Sequence, residues 1–315
     1  MSKIAVLLAS YNGQKYIGEQ IQSIQNQEDV ITDIFLRDDK STDDTVNVAL
    51  KQLPPDRIII NTKGTGSAAN NFFLSILEFK DAEKYDYFAF SDQDDIWLPQ
   101  KLKKAVDRLK EEHAVLYTSN LLVWNTKTNS KKLLRKDYSQ KKFDFLFEGG
   151  SAGCTYVFSR DFFYQLQTKL KTTDYLNWPD FSHDWFTYFL ARISKKKVIN
   201  SPDAEILYRI HECNVYGQLN SVTFNSVRKR VQMVREGWYL NNSLNYAKTL
   251  SRDSEEFQIY KLYCENFMTR TRLFITYNFN LIRNPLKFMV FCFLSLGCTG
   301  YPDKKTFDAV FKSKK

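Results

Sequence analysis

Short apolar runs alternate with amphipathic stretches along about the first hundred residues. The run at 4–8 is uniformly aliphatic or small, which is typical of a strand covered on both faces in a parallel sheet. After it, Ile17, Ile21 and Ile24 recur at the spacing of a helix with one buried face. The pattern therefore predicts a strand followed by a helix that packs back on it.

The same alternation recurs further along the chain. Apolar runs at 31–36, 58–60 and 87–90 predict three more strands, and a helix is predicted after each, the last beginning near Pro99. Ser41 or Thr42 is predicted to cap the second helix. Strands that alternate with helices in this way indicate a doubly wound α/β domain.

Polar residues stand at the carboxyl ends of the predicted strands, in segments 10–12, 38–39 and 92–94. Ligands bind at this edge of open α/β sheets. Asp92 and Asp94, one residue apart, can both face a divalent cation that carries a diphosphate. A solvated acidic turn before the next helix explains the same two acids, so this segment alone leaves both interpretations open.

Composition narrows the class of protein. A chain of 315 residues with 43% hydrophobic content can bury a large core. A formal net charge of +9 favours an anionic partner such as nucleic acid, lipid headgroups or a phosphorylated substrate. The five scattered cysteines predict neither a disulfide framework nor a zinc site, which fits a reducing cytoplasm.

Phosphate-binding loops of the common kinds are missing from the sequence. There is no Walker-type loop after the first strand, and the glycines at 64 and 66 do not follow the dinucleotide pattern. The segments 10–12, 38–45 and 91–97 instead resemble, in order and spacing, the three landmarks of family 2 glycosyltransferases. That resemblance implies the GT-A fold, a Rossmann-like mixed sheet flanked by helices, and a nucleotide-sugar donor.

The resemblance also implies roles for individual residues. Tyr11 would stack on the base, Asp39 would contact it, Asp92 would face the ribose or donor sugar, and Asp94 would bind Mn or Mg. The full set implied to bind the nucleotide sugar is Ser10, Tyr11, Asn12, Asp38, Asp39, Asn70, Asp92, Gln93 and Arg209.

Two further segments supply candidate chemistry in the second half. Asp184 opens a predicted helix, where a carboxylate either stabilises the helix N-terminus or, as the resemblance implies, serves as the catalytic base. His211 follows a short strand-like run; a lone histidine is more often structural, whereas the resemblance implies a metal ligand. Arg209 beside it can pair with a diphosphate through two hydrogen bonds.

Beyond about residue 220 the pattern changes to basic amphipathic helices, so the predicted domains are 1–220, catalytic, and 221–315, helical. No acid occurs between Glu265 and Asp303, although Arg270, Arg272, Arg283 and Lys287 do. The apolar run at 288–296 is too short to span a bilayer. This region predicts either docking on an anionic membrane surface or a helical element for homodimerisation.

Within the resembled family, the segments 91–97, 183–185 and 207–217 are most similar to bacterial rhamnosyltransferases of cell-surface polysaccharide synthesis. This implies an inverting transfer of L-rhamnose from dTDP-rhamnose to a lipid-linked saccharide at the cytoplasmic side of the membrane. The alternatives are another UDP- or dTDP-linked sugar, or a nucleotidyltransferase. A nucleic-acid-binding module explains only the charge, because no DNA- or RNA-binding motif is present.

Overall fold

The computed structural model describes residues 1–210, 224–297 and 299–312. The chain divides into two compact units, the first formed by Met1–Asp137, Gly149–Tyr175 and Ser182–His211, and the second by Tyr138–Glu148, Leu176–Phe181 and Glu212–Lys315. The predicted boundary at 220/221 and the candidate ligand His211 both lie outside the described residues.

The first unit contains two sheets. Its strands are β1 (Ser2–Ser10), β2 (Val30–Asp38), β3 (Ile58–Ile60), β4 (Tyr87–Ser91), β5 (Ile96–Trp97), β6 (Leu116–Ser119), β7 (Leu121–Asn125), β8 (Ser130–Leu134), β9 (Val157–Ser159), β10 (Val198–Ser201) and β11 (Ile206–Ile210). The larger sheet has the order β10-β6-β9-β4-β1-β2-β3, and the smaller one has the order β5-β11-β7-β8.

Helices flank the larger sheet in the first unit. They are α1 (Ile17–Gln25), α2 (Thr45–Leu50), α3 (Ala68–Glu78), α4 (Lys101–Glu111), α5 (Arg160–Lys171) and α6 (His183–Ile193). Ile4 and Val6 of β1 belong to the same buried cluster as Ile17 of α1, while Phe88 of β4 stacks on Phe163 of α5. The central strands are therefore covered on both faces, as their uninterrupted apolar runs predict.

The predicted α/β architecture with a mixed sheet is confirmed. β1 pairs in parallel with both β2 and β4, whereas β9 runs antiparallel to β4 and β6. The predicted cap at Ser41 or Thr42 is wrong: α2 begins after Asp44 without a side-chain cap. The hydroxyl of Ser41 donates to Asp38, and both the backbone amide and the hydroxyl of Thr42 donate to Asn12.

The second unit is helical in the part that the structure describes. Its helices are α7 (Phe224–Arg235), α8 (Trp238–Lys248), α9 (Glu255–Glu265), α10 (Phe267–Tyr277), α11 (Pro285–Gly297) and α12 (Lys304–Phe311). Among the described residues, none of these helices combines the length and the apolar character that crossing a bilayer requires.

Two of the arginines expected at an anionic surface are buried instead. Arg270 donates to the carbonyls of Tyr263, Ser295, Thr299 and Gly300, and it is fully shielded from solvent. Arg283 pairs with Asp144 and Glu148. Both arginines therefore hold this unit together, because a guanidinium with several fixed acceptors is well suited to a buried position.

Candidate active site

The ends of three neighbouring strands form one polar edge of the larger sheet. β4, β1 and β2 are adjacent and parallel, so the residues that follow Ser91, Ser10 and Asp38 lie side by side. The sequence predicted this convergence from the general position of ligands at the carboxyl ends of parallel strands. It brings the three predicted donor-binding segments into one region of the first unit.

Asp38 is wholly buried and binds the neighbouring loops. Its carboxylate accepts hydrogen bonds from the hydroxyl of Ser10 at 2.8 Å, from the amide of Ser41 at 2.7 Å and from the hydroxyl of Ser41 at 2.6 Å. Asn12 adds a second connection, because its side-chain oxygen accepts from the amide of Thr42 at 2.9 Å. Ser10, Asn12 and Asp38 thus fix the β1–α1 loop against the β2–α2 loop.

Asp39 has an equally complete set of partners. Its carboxylate accepts from Asn61 Nδ2 at 2.9 Å, from both the amide and the hydroxyl of Thr65, and from the amide of Gly66 at 3.1 Å. These donors come from the loop before α3, whose first turn contains the half-buried Asn70. Asp39 therefore orders that loop, and its contact with a base stays a prediction.

Gln93 fixes the backbone of Tyr11 through a paired amide contact. The amide of Tyr11 donates to Gln93 Oε1, and Gln93 Nε2 donates to the carbonyl of Tyr11, both at 2.9 Å. Gly13 packs against the same side chain, since a Cβ there would lie 2.1 Å from Gln93 Oε1. With its backbone held in this way, Tyr11 exposes 56% of its surface and offers a ring for stacking.

Asp92 and Asp94, in the loop after β4, share their electrostatic environment with Asp184 of α6. Burial together with the negative charges of Asp94 and Asp184 raises the pKa of Asp92 to about 7. The influence of Asp184 is informative, because that residue belongs to α6 and is distant in sequence. The geometry agrees, because the ring of His183, which precedes Asp184, lies 5.3 Å from that of Phe90, two residues before Asp92. The structure thus brings the candidate base close to Asp92.

Asp95 is a buried member of this group that the sequence reading missed. Its Oδ1 accepts from the amide of Arg209 at 3.2 Å, while Oδ2 is buried without a nitrogen or oxygen hydrogen-bond partner among the described residues. Ligand atoms of Asp92, Asp95 and Cys154 lie within 4.8 Å of one another. Burial, followed by the charges of Asp94 and Asp92, raises the pKa of Asp95 well above its usual value.

Lys101, at the start of α4, lies in the same buried environment. Its ammonium group is 3.5 Å from the centre of the Trp97 ring, and burial lowers the pKa of Lys101 to about 7. Burial also raises the pKa of the Cys154 thiol well above its usual value, so that this cysteine is a protonated side chain rather than a thiolate. We call residues 92–95, which follow β4, the acidic loop. This loop is therefore packed against buried polar groups.

Arg209 supports the acidic loop from the smaller sheet. Its Nε donates to the carbonyl of Asp94 at 2.9 Å, and its terminal nitrogen pairs with Glu19. The guanidinium lies 4.5 Å from the ring of Tyr16 and 4.9 Å from that of Trp124. Arg209 is thus a positioning residue for the loop, and its contact with a diphosphate stays a prediction.

Asp184 stands in the first turn of α6 and is partly exposed. Its Oδ1 accepts from the hydroxyl of Ser182, the helix cap, and from the amide of Trp185 at 2.7 Å. Both contacts use the same oxygen. The carboxylate is therefore oriented by its helix and at the same time lies near Asp92, as a base beside a donor site requires.

His183 packs inside the first unit rather than facing a ligand. Its ring stacks on Phe72 with the centroids 4.2 Å apart, and a Cβ on Gly153 would lie 2.1 Å from its Nε2. Burial lowers the pKa of His183, although the charge of Asp184 opposes the shift. A neutral, tightly packed imidazole of this kind fixes the N-terminus of α6 and hence the position of Asp184.

The acidic loop fits a divalent cation. Asp92 and Asp94 offer hard carboxylate oxygens of the kind that Mg²⁺ and Mn²⁺ prefer. The raised pKa of Asp92, to which the charges of Asp94 and Asp184 contribute after burial, indicates excess negative charge that a cation would relieve. Asp95 Oδ2 adds a buried oxygen with no nitrogen or oxygen partner among the described residues. Asp94 is not in the close group of Asp92, Asp95 and Cys154, and His211 lies outside the described residues.

A family model described as Glycosyl transferase family 2 matches residues 5–195. The chain therefore belongs to that family and is a glycosyltransferase with the GT-A fold. The matched range contains the segments 10–12, 38–45 and 91–97 and the candidate base Asp184. Arg209 and His211 lie beyond it.

Individual relatives narrow the comparison. The dTDP-rhamnosyl transferase RfbG of Shigella flexneri is 36% identical over 251 residues, which cover 78% of this chain and 86% of that protein. A GalNAc(5)-diNAcBac-PP-undecaprenol beta-1,3-glucosyltransferase of Campylobacter jejuni is 30% identical over 155 residues, 46% of this chain and 48% of that protein. The structure of S. aureus TarS 1–349 with UDP shares the fold at a TM-score of 0.52 and 14% identity, covering 88% of this chain and 90% of that one.

Proposed function

We propose that this glycosyltransferase moves L-rhamnose from dTDP-rhamnose, with inversion, to a saccharide acceptor in cell-surface polysaccharide synthesis. The observation that carries the proposal is the position of Asp184 next to the loop after β4. The ring of His183, which precedes Asp184, packs on Phe90 of β4, two residues before Asp92. Burial and the charges of Asp94 and Asp184 raise the pKa of Asp92 accordingly. The donor sugar is supported by the extent of the similarity to RfbG, which is named a dTDP-rhamnosyl transferase. The alternative within this class is another UDP- or dTDP-linked sugar.

Asp184 serves as the base in this reaction. The acceptor hydroxyl is a weak nucleophile, and a carboxylate within hydrogen-bond reach removes its proton as the bond to the anomeric carbon forms. The bond between the anomeric carbon and the diphosphate breaks in the same step, so the configuration inverts. Ser182 and the amide of Trp185 hold one oxygen of Asp184, and the other oxygen would take the proton.

Asp94, with Asp92 beside it, would hold Mn or Mg at the diphosphate of the donor. When bound there, a divalent cation neutralises charge that develops on the departing nucleoside diphosphate. His211 stays a predicted third ligand. Arg209 acts on this site indirectly, because its side chain donates to the carbonyl of Asp94 and its backbone amide donates to Asp95.

The nucleoside would lie along the edge formed by the loops after β1 and β2. The exposed ring of Tyr11 stacks on the base, and its position depends on the paired amide contact with Gln93. Ser10, Asn12, Asp38 and Asp39 set the shape of these loops, and the first turn of α3 with Asn70 borders them in the chain. No base-specific contact is required for this part of the proposal.

The acceptor is proposed to be a saccharide linked to a polyprenyl diphosphate. The Campylobacter relative, whose name contains undecaprenol, supports this class of acceptor. An enzyme that uses such an acceptor works at the cytoplasmic surface of the cell membrane. A homodimer formed through the helical unit is the alternative use of that unit.

The experiment that tests the proposal is a hydrolysis screen of purified enzyme over nucleotide sugars, each with Mn²⁺, with Mg²⁺ and with a chelator. Slow release of rhamnose from dTDP-rhamnose, dependent on the cation and lost in Asp94→Asn, is the expected result. Faster hydrolysis of a UDP-linked hexose than of dTDP-rhamnose would refute the assignment of the sugar. Equal rates of hydrolysis with the divalent cation and with the chelator would refute the requirement for a metal.

A further inference from the structure

One face of α11 is apolar and exposed. Leu286, Met289, Val290 and Phe293 expose 74%, 60%, 50% and 74% of their surfaces, respectively. They recur at three- and four-residue spacing and so lie on one side of the helix. We call these four residues the apolar face of α11. Large apolar side chains grouped in this way mark an interaction surface more often than scattered ones do.

The opposite side of α11 is packed into the second unit. Phe288 contacts Phe274 of α10, and Phe291 contacts both Phe274 and Tyr263 through their rings. Phe288, Phe291 and Ser295 are buried. The helix therefore has two apolar sides, of which one is packed in the fold and the other is exposed to solvent.

The buried Arg270 fixes the carboxyl end of α11 through hydrogen bonds. Its guanidinium donates to the carbonyl of Ser295 at 2.7 Å and to that of Thr299 at 3.1 Å, at the carboxyl end of the helix. Its Nε donates to the carbonyl of Tyr263 at 2.7 Å. The last turn of α11 is thus bonded to α9 and α10 by a charged group, which favours presentation of the exposed face without rearrangement.

The surrounding charge is positive. From 266 to 302 the sequence contains no aspartate or glutamate, and two of its four arginines and lysines, Arg270 and Arg283, are buried. Arg272 on α10 and Lys287 on α11 are exposed, and Lys304 and Lys305 follow at the start of α12. Met268 and Ile275 of α10 are exposed apolar neighbours of Arg272 along the same helix.

We infer that the apolar face of α11 inserts into the headgroup region of an anionic lipid bilayer, with Arg272 and Lys287 bound to lipid phosphates. A helix with an exposed apolar side and basic residues beside it lies in the interface plane. A second copy of this chain fits less well, since a two-fold contact would bring the same basic residues together without acids from 266–302 to neutralise them. At 13 residues, α11 is suited to lying on the bilayer rather than crossing it.

This inference deepens the proposed function, in which the acceptor is lipid-linked, but its test does not depend on that function. The assay is sedimentation of the full chain with phosphatidylcholine vesicles, with and without phosphatidylglycerol, at low and high salt. The variant is Leu286→Ser/Met289→Ser/Phe293→Ser, all at exposed positions. Its matched control is Leu50→Ser/Leu133→Ser/Leu176→Ser, which removes three exposed leucines elsewhere.

The wild type and the control are expected to bind anionic vesicles alike, and the α11 variant at least about fivefold less. In a second pair, Arg272→Gln/Lys287→Gln should reduce binding at low salt, whereas Lys131→Gln/Lys132→Gln on β8 should not. Equal binding by the α11 variant and the wild type would overturn the inference. A second result would also overturn it. In that result the wild type is a dimer in analytical ultracentrifugation, the α11 variant is a monomer, and neither protein binds vesicles.

The two proposals can fail separately. Hydrolysis of dTDP-rhamnose in solution should be the same in the α11 variant and the wild type, because the substituted side chains lie in the helical unit. Vesicle binding should likewise be unchanged in Asp184→Asn. Loss of vesicle binding together with normal hydrolysis supports the membrane contact, and normal vesicle binding without hydrolysis of any nucleotide sugar would count against the proposed reaction alone.

Discussion

The carboxylates of the active-site edge are of two kinds. Asp38 and Asp39, after β2, together accept seven hydrogen bonds from neighbouring loops and are buried. Asp92 and Asp95, after β4, are pressed against other carboxylates, and their pKa values are raised. Carboxylates whose oxygens accept hydrogen bonds from the protein stabilise the loops of the site. Carboxylates that lie close to one another are instead suited to binding a ligand of opposite charge.

The largest expected effect is the loss of transferase activity on substitution of Asp94, in the acidic loop. Asp94→Asn removes a ligand oxygen with its charge and should lower transfer by about 10³-fold or more, with a matching loss of Mn²⁺-dependent affinity for dTDP. The bond from Arg209 is accepted by the backbone carbonyl of Asp94, so this contact survives the substitution. Calorimetry with dTDP, with and without Mn²⁺, checks this. Unchanged affinity in the presence of Mn²⁺ would show that Asp94 does not hold the cation.

Asp184→Asn should lower turnover by about 10²- to 10⁴-fold while affinity for dTDP and Mn²⁺ is kept, since only the base is removed. The chain offers a matched control. Asp161 also stands in the first turn of a helix with a serine cap, Ser159, in α5. Asp161→Asn should have the same small effect on helix stability and none on turnover. If both variants retain activity within a few-fold of the wild type, Asp184 is only a helix-terminal charge.

For Asp38 and Asp39, substitution is expected to lower stability. Asp39→Asn places an amide NH₂ against the hydroxyl of Thr65 or the amide of Gly66, so it should reduce the free energy of unfolding by about 2 kcal/mol. Asp94→Asn should leave that free energy unchanged or raise it. Chemical denaturation of the two variants at one pH makes the comparison. A stable Asp39→Asn variant would mean that this carboxylate is not a scaffold element.

A smaller effect concerns pH. The pKa of Asp92 is higher in the folded chain, about 7, than its ordinary value of 3.8, so the folded state binds more protons between these two values. Stability of the metal-free protein should therefore fall as pH rises from about 4 to about 7, by on the order of 2 kcal/mol after solvent screening. Asp92→Asn should remove this loss.

The corresponding measurement is the melting temperature at pH 5.5 and pH 8, with and without Mn²⁺. Stabilisation by Mn²⁺ should be greater at pH 8, where Asp92 is ionised and the cation relieves the repulsion among the carboxylates. Equal stabilisation at the two pH values would contradict the assignment of excess charge to this loop.

Sequence patterns predicted the elements and the edge, but only part of what the residues do. Uninterrupted apolar runs located β1 to β4, and parallel order placed segments 10–12, 38–39 and 92–94 together. The sequence cannot tell a carboxylate that is satisfied from one that is crowded. That distinction depends on donors such as Thr65 and Gly66, which lie in a different loop.

Of the smaller sheet, only the strand-like run before His211, which forms β11, was predicted, and the other strands were missed for a related reason. β5 has two residues, and β8 has the sequence SKKLL with most positions exposed, so neither gives a hydrophobic signal. The pairing of β5 with β11 is what places Arg209 against the acidic loop. Cys154 reaches Asp95 from a distant segment, and Lys101, although near Asp95 in the sequence, is a lysine that becomes buried there. Nothing in the local pattern of either residue indicated this.

The most direct test of the account is to locate the cation. Crystals of the enzyme with dTDP and Mn²⁺, measured at the manganese absorption edge, give the position of the ion from its anomalous signal. We expect a single site at the carboxylates of Asp94 and Asp92, next to the diphosphate, with Asp38 and Asp39 still bonded to their loops. An ion bound at Asp38 or Asp39, or bound dTDP with no ion at the acidic loop, would contradict it.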